Sequence, residues 1–229
     1  MKDVLGKAIH DHYHHLKTGK LWIHNKYGPK EEMPVEAYFR REEDMPALEQ
    51  AALKECRGKV LDIGAGAGSH ALWLQQQGID VTALDISPAA GAVMELRGVQ
   101  QVMVRDIFTL PDGTYDTLLL LMNGIGLSAT IAGLRVFLQH AKQLLNKNGQ
   151  LLFDSSDIAY LYERKIPAVQ HYYGEIAYRY EYKGQKTDWF SWLYVDKETL
   201  SVIAAEEGWK TEILFKDEYE QYLVKLTLS

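Results

Sequence analysis

The stretch VLDIGAGAGSHALWL, from Val60 to Leu74, limits the fold of this chain more than any other. An apolar strand pattern runs into glycines at alternate positions, Gly64, Gly66 and Gly68, and then directly into a helical pattern. Each glycine within regular structure costs roughly 0.5–1 kcal/mol relative to alanine. A group of them between a strand and a helix therefore marks backbone that turns sharply or that something approaches closely. An acid, Asp62, stands just before them.

The same alternation continues downstream. KVLDI is a strand, and SHALWLQQQG is a helix closed by Gly78. DVTALD is a second strand, and SPAAGAVMELRG opens a helix with a capping serine and a first-turn proline. QQVMVRD and YDTLLLLM are further strands. Ile131, Leu134, Leu138, Ala141 and Leu145 mark one face of a long helix expected to end at Asn148-Gly149, before the strand QLLFDS. Strands this uniformly apolar belong to a sheet covered on both faces. Strand–helix alternation predicts a doubly wound, mostly parallel α/β sheet with right-handed crossovers.

The flanks differ. Residues before the alternation read as helical and loop-rich, turning at KYGPKEEMP. From Tyr160 aromatic and polar residues alternate, and HYYGEIAYRYEYKGQKTDWFSWLYV reads as a β-hairpin around Lys183-Gly184. A helix, DKETLSVIAAEEG, and two strands, WKTEILF and YLVKLTL, follow. The expected organisation is a helical N-terminal cap (1–57) on an α/β domain (58–229), with the hairpin inserted at about 172–195.

Composition narrows the partners. The net charge is −6 and no Lys/Arg block stands out, which argues against a nucleic-acid backbone. The longest apolar run, TLLLLM, is too short to cross a bilayer, and MKDVLGKAIHDHYHH lacks the apolar core of a signal peptide. The lone Cys56 excludes an internal disulfide or a cysteine zinc cage. A cytoplasmic protein with a small-molecule partner is expected.

Ligands of open α/β sheets bind outside the carboxyl ends of the strands, where the glycine loop lies. Asp85, 21 residues beyond Gly64 at the end of the next strand, has the spacing of a carboxylate that binds ribose hydroxyls. A nucleoside-containing cofactor is expected. The loop reads GAGAGS, so Ser69 stands where a dinucleotide fingerprint has its last glycine. Asp62 would repel a pyrophosphate and would favour a cationic ligand. No Gly-Lys-Ser/Thr ending marks a P-loop.

LDIGAGAGSHALWL, VTALDIS, VRDIF, YDTLLLLMNGIGL and GQLLFDSSD together resemble, in order and spacing, the motifs of class I S-adenosylmethionine-dependent methyltransferases. The resemblance covers roughly Lys59 to Ser229. It implies a seven-stranded sheet with an antiparallel last strand, and S-adenosylmethionine as cofactor. It implies that Asp62, Gly64, Gly66 and Gly68 shape the pocket for the methionine portion, with Asp62 near the ammonium. Asp85, followed by Ile86, would hold the ribose. Asp106 would accept from the adenine amino group, Ile107 would pack on the ring, and Asn123 would sit beside the methyl group. MNGIGLS lacks the Asn/Asp-Pro-Pro-aromatic stretch of adenine-N6 and glutamine methyltransferases, which argues against those acceptors. Two other readings stay open. One is an NAD(P)-dependent oxidoreductase, disfavoured by Ser69, Asp62 and the lack of a Tyr-x-x-x-Lys couple near the fifth strand. The other is a non-catalytic cofactor-binding protein.

The implied reaction needs a general base only when the acceptor arrives protonated. His12 and Asp154 are the candidates, and Tyr13, Phe39, Arg40 and Asp154 are candidate substrate contacts. Leu5, Ile9, His12 and Leu16 share a helical face, which would turn His12 inward. His10 and His14 have an i, i+4 spacing, but no acidic or cysteine cluster accompanies them and no metal is expected. Tyr178, Tyr180 and Tyr182 share a strand face opposite Trp189 and Trp192. That face is expected to pack on the sheet or on a second copy of the chain, as in a homodimer, in preference to forming a cation cage.

Overall fold

The computed structural model describes residues 2–17, 19–26, 28–162 and 171–229. Tyr27 of the expected KYGPKEEMP turn lies outside the described residues. Helix α1 (Val4–Tyr13) precedes strands β1 (Leu21–Asn25) and β2 (Glu31–Glu32) and two 3-10 turns, Val35–Phe39 and Glu42–Asp44. Next come α2 (Ala47–Glu55), β3 (Val60–Ile63), α3 (Ser69–Gln76), β4 (Val81–Asp85), α4 (Pro88–Leu96) and β5 (Val102–Val104). They are followed by β6 (Tyr115–Leu120), α5 (Ile131–Leu144) and β7 (Leu145–Ser156). The chain continues through β8 (Glu175–Tyr182), β9 (Gln185–Lys186), β10 (Phe190–Leu193), α6 (Lys197–Glu206), β11 (Trp209–Lys216) and β12 (Gln221–Leu228).

Seven strands form a mostly parallel sheet in the order β11-β12-β7-β6-β3-β4-β5, the expected α/β class. β4 with β5, and β6 with β7, pair parallel, whereas β12 is antiparallel to both β7 and β11. By its contacts the chain divides into two compact units. One holds Met1–Met45, Asp62–Thr109 and Ala177–Phe190, and the other holds Pro46–Leu61, Leu110–Ile176 and Ser191–Ser229.

In the first unit, α1 is capped by the Asp3 carboxylate, which accepts from the Gly6 N–H. Its buried residues are Val4, Gly6, Ala8, Ile9 and Asp11. The face expected from Leu5 to Leu16 is corrected on two counts. The helix stops at Tyr13, His15 adopts φ 51°, and Leu16 is 48% exposed beyond the end. The N-terminal region also supplies a strand. β1 pairs antiparallel with β8, Leu21 opposite Tyr182, within a second sheet ordered β10-β8-β1-β2. The expected hairpin turn is present: Lys183 and Gly184 take φ 46° and 74°, and Tyr182 faces Gln185. Two positive-φ residues match the right-handed twist of the flanking strands. Tyr182 is fully buried and Tyr180 packs beside it, against Val4, Ala8, Ile9 and Leu21. These tyrosines are core. Asp11, apolar in no sense, is buried with them because Lys183 Nζ (2.6 Å) and the Tyr182 hydroxyl (3.2 Å) donate to it.

In the second unit, α5 ends at Leu144 and β7 begins at Leu145, earlier than the Asn148-Gly149 boundary expected from sequence. Leu145 already pairs with Tyr115, and the register shifts before Thr117 meets Gln150. Asn148, at φ 66°, carries that irregularity inside the strand. Leu118, Leu119, Leu120, Leu151, Leu152 and Phe153 are fully buried, as the unbroken apolar pattern requires. Cys56 caps α2 and is buried. No helix among the described residues is long and apolar enough to cross a membrane.

Candidate functional site

The loop after β3 uses its glycines for conformation. Gly64, Gly66 and Gly68 adopt φ 77°, 59° and 83°, the left-handed region that an ordinary side chain enters at a cost of about 1–2 kcal/mol. At Gly64 a Cβ would meet nothing within 4 Å, so backbone conformation alone selects glycine there. Gly68 is also crowded: a Cβ would lie 2.9 Å from Val99 Cγ2 and 3.0 Å from Met94 Cγ. Gly68→Ala is expected to lower stability by about 2 kcal/mol, read as a fall of about 4–8 °C in melting temperature. A melting temperature unchanged or raised would contradict that reading of the turn.

Two carboxylates frame this loop. Gly64 and Ala65 donate their N–H groups to the Leu84 carbonyl, which fastens the loop to β4 (2.8 and 3.0 Å). Asp85, at the end of β4, accepts from the Gly66 N–H (2.9 Å) and from the Ser87 N–H (2.8 Å). Burial pushes its pKa up, and the two amide donors oppose that push. Asp62 is 2% exposed, and its Oδ2 has no hydrogen-bond partner. Burial pushes its pKa to about 6, opposed by His70 and the Ala71 N–H and reinforced by Asp85. Such an orphaned buried acceptor costs about 1–3 kcal/mol, more when ionised.

Next to these carboxylates the rim is apolar. Ile86 is 69% exposed and Phe108 is 39% exposed. Asp106 is half-buried; its Oδ1 accepts from the Phe108 N–H at 3.0 Å and so shapes the turn at the end of β5. Ile107 is buried. Tyr38 was not singled out by sequence. A Cβ on Gly66 would come within 2.9 Å of its ring, and its carbonyl accepts from Ser69 Oγ at 2.8 Å. The Tyr38 hydroxyl donates to Met33 Sδ at 3.7 Å, but the contacts that bring it to the glycine turn lie about 30 residues along the chain.

The candidate entrance residues are placed as follows. Tyr13 donates its hydroxyl to the Leu96 carbonyl (3.1 Å) and so pins α1 to α4. The Phe39 ring lies near the His12 ring (centroids 4.7 Å, tilted) and near the Arg97 guanidinium (5.0 Å). His12 Nδ1 lies 3.8 Å from Glu36 Oε1. Arg40 caps the Val35–Phe39 turn. The His10 and His14 rings lie 4.4 Å apart at a tilt of 48°, and no group of three His, Cys, Asp or Glu is gathered for a metal among the described residues.

In the second unit, Met122 and Asn123 follow β6 with φ 61° and 55°. Asp154, buried at the end of β7, holds them there. Both of its oxygens accept from the Asn123 N–H, at 2.9 and 2.8 Å. Asn123 Nδ2 donates to the Leu193 carbonyl at 3.2 Å, while its Oδ1 is buried without a partner.

A family model described as a methyltransferase domain matches residues 37–212. A SAM-dependent methyltransferase from Bacteroides fragilis, solved in complex with S-adenosyl-L-homocysteine, is 41% identical, with a TM-score of 0.93 over 100% of this chain and 95% of that one. The chain belongs to the S-adenosylmethionine-dependent methyltransferases.

Two more distant structures share the methyltransferase fold. The CcbJ methyltransferase from Streptomyces caelestis is 12% identical, with TM-score 0.68 over 100% of both chains. CalS10, an amino pentose methyltransferase from Micromonospora echinaspora, is 15% identical, with TM-score 0.57 over 89% of this chain and 100% of that one. A search of the curated proteins gives no match. The oxidoreductase and non-catalytic readings give way to a methyltransferase with a seven-stranded sheet whose order ends in β7-β12-β11.

Proposed function

We propose that this methyltransferase acts on a small-molecule acceptor in the cytoplasm, and that the residues of its first unit hold the cofactor. The observation that carries the cofactor assignment is the unpartnered Oδ2 of Asp62. A buried carboxylate with a raised pKa and an oxygen that no hydrogen bond reaches suits an ammonium group, and S-adenosylmethionine carries one on its methionine end. Gly64, Gly66 and Gly68 give the loop after β3 the left-handed turns that shape this pocket. Asp85 is assigned to the ribose hydroxyls, with the exposed Ile86 against the sugar. Asp106 is assigned to the adenine amino group, and Ile107 with Phe108 to the ring.

When bound, S-adenosylmethionine supplies a methyl group already activated by its sulfonium. The protein's task is then chiefly orientation, which can contribute about 7–11 kcal/mol. In the second unit, Asp154 acts by fixing the Asn123 backbone. His12, Tyr13 and Phe39 serve the packing of α1, which leaves Arg40 as the entrance residue proposed to meet the acceptor.

Calorimetry is expected to show binding of S-adenosylhomocysteine and none of NADH. With labelled donor and a cell extract, label is expected in the low-molecular-mass fraction. NADH binding would overturn the cofactor assignment, and label confined to protein or nucleic acid would overturn the acceptor class.

A further inference from the structure

We propose that Asp3, at the start of α1, is a positioning residue for cofactor binding, acting on Asp85 through Ser87. The inference rests on the ribose assignment of Asp85 made above.

A continuous set of hydrogen bonds carries it. Asp3 Oδ2 accepts from Ser87 Oγ at 2.6 Å, and Asp3 Oδ1 accepts from the Gly6 N–H at 3.0 Å. The Ser87 hydroxyl accepts in turn from the Ala90 N–H (2.9 Å), capping α4. The Ser87 N–H donates to Asp85 Oδ1 (2.8 Å), and Asp85 Oδ2 accepts from the Gly66 N–H (2.9 Å). One carboxylate thus caps α1 and also holds the hydroxyl that caps α4. The residue bearing that hydroxyl orients the carboxylate that meets the glycine turn.

The approach of the two helices is tight enough to make this a fixed link. A Cβ on Gly6 would stand 2.0 Å from Ser87 Oγ and 2.4 Å from Asp3 Oδ1, so only glycine lets the two caps meet. The Asp3 charge also reaches Asp85, adding to the upward push on its pKa. At the other end of α1, Tyr13 donates to the Leu96 carbonyl of α4, so the helix is held on α4 at both ends. An α1 seated in this way fixes Ser87, and Ser87 fixes the rotamer of Asp85. A ligand that needs Asp85 in that rotamer binds more tightly when α1 is docked.

A double-mutant cycle read by calorimetry with S-adenosylhomocysteine, well below the melting temperature of every variant, tests the link. Asp3→Ala is expected to weaken binding about fivefold. Asp3→Asn, whose Oδ1 still accepts from the Gly6 N–H and whose Nδ2 can donate to Ser87 Oγ in place of accepting from it, is expected to restore affinity to within about twofold. Ser87→Ala breaks the same link from the other side and is expected to match Asp3→Ala; it serves as the probe should Asp3→Ala not fold. In an Asp85→Ala background, Asp3→Ala is expected to cost nothing further. A lower melting temperature with unchanged affinity in Asp3→Ala and Ser87→Ala would overturn the proposal, leaving Asp3 as a helix cap alone. So would losses that add fully to that of Asp85→Ala. If Asp85→Ala itself left affinity unchanged, it would be the ribose assignment that had failed.

Discussion

Asp85→Ala is expected to weaken S-adenosylhomocysteine binding at least tenfold while leaving the protein folded. Two effects act together. The charge-assisted hydrogen bonds assigned to the ribose hydroxyls disappear, and such bonds are about twice as strong as neutral ones. The Gly66 and Ser87 N–H groups also lose their acceptor, so the glycine turn is less well held. The fold itself should suffer little, about 1–2 kcal/mol, because burial already disfavours the ionised carboxylate that is removed. Calorimetry and a thermal melt on the same sample separate the two quantities. Unchanged affinity in a folded variant would remove the ribose assignment.

Asp62→Asn is expected to move stability and binding in opposite directions. The carboxyl pKa is about 6 in the folded chain, against an unfolded value of 3.8. Between those values the folded state binds more protons than the unfolded one, so stability falls as pH rises through this window. Above pH 6 the ionised form of Asp62 costs of the order of 3 kcal/mol relative to its protonated form. An amide in its place carries no charge to desolvate. The ligand-free variant is therefore expected to melt several degrees higher than the parent at pH 7.5, with a flatter stability profile between pH 4 and 6. Its affinity for S-adenosylhomocysteine should drop at least tenfold at pH 7.5, since the ammonium loses its counter-charge. In the parent, affinity should weaken as pH falls below 6. A variant that is less stable without ligand and binds as before would make Asp62 a structural acid.

Much of this architecture is legible in the sequence because its signals are local. Gly64, Gly66 and Gly68 form the sharp turn their grouping suggested, all three in left-handed conformations, and Ser87 caps the helix it precedes. The fully apolar runs of β6 and β7 are buried as parallel-sheet strands must be. What sequence missed depends on distant partners. LWIHN gives no strand signal of its own, and it becomes β1 because β8, over 150 residues away, offers a register from Leu21–Tyr182 to Asn25–Tyr178. Asp11 reads as a solvent-facing acid until Lys183 and Tyr182 meet it. Both oxygens of Asp154 accept from the Asn123 N–H, a pairing that needs the ends of β6 and β7 in place. Tyr38's contact with the glycine turn and the Asp3–Ser87 hydrogen bond are silent for the same reason.

The strand order β7-β12-β11 bears on how the chain is made. A ribosome delivers β7 first, then β11, and only later the strand that lies between them. Until β12 emerges, the backbone amides along one side of β7 have no ladder partner, and β11 has nowhere to dock. The growing chain thus presents a long strand with an apolar centre, Leu151–Phe153, and an open edge, a form prone to pairing with neighbouring chains. Escape from that hazard comes in one late step, when a single segment slots in and satisfies both sides at once.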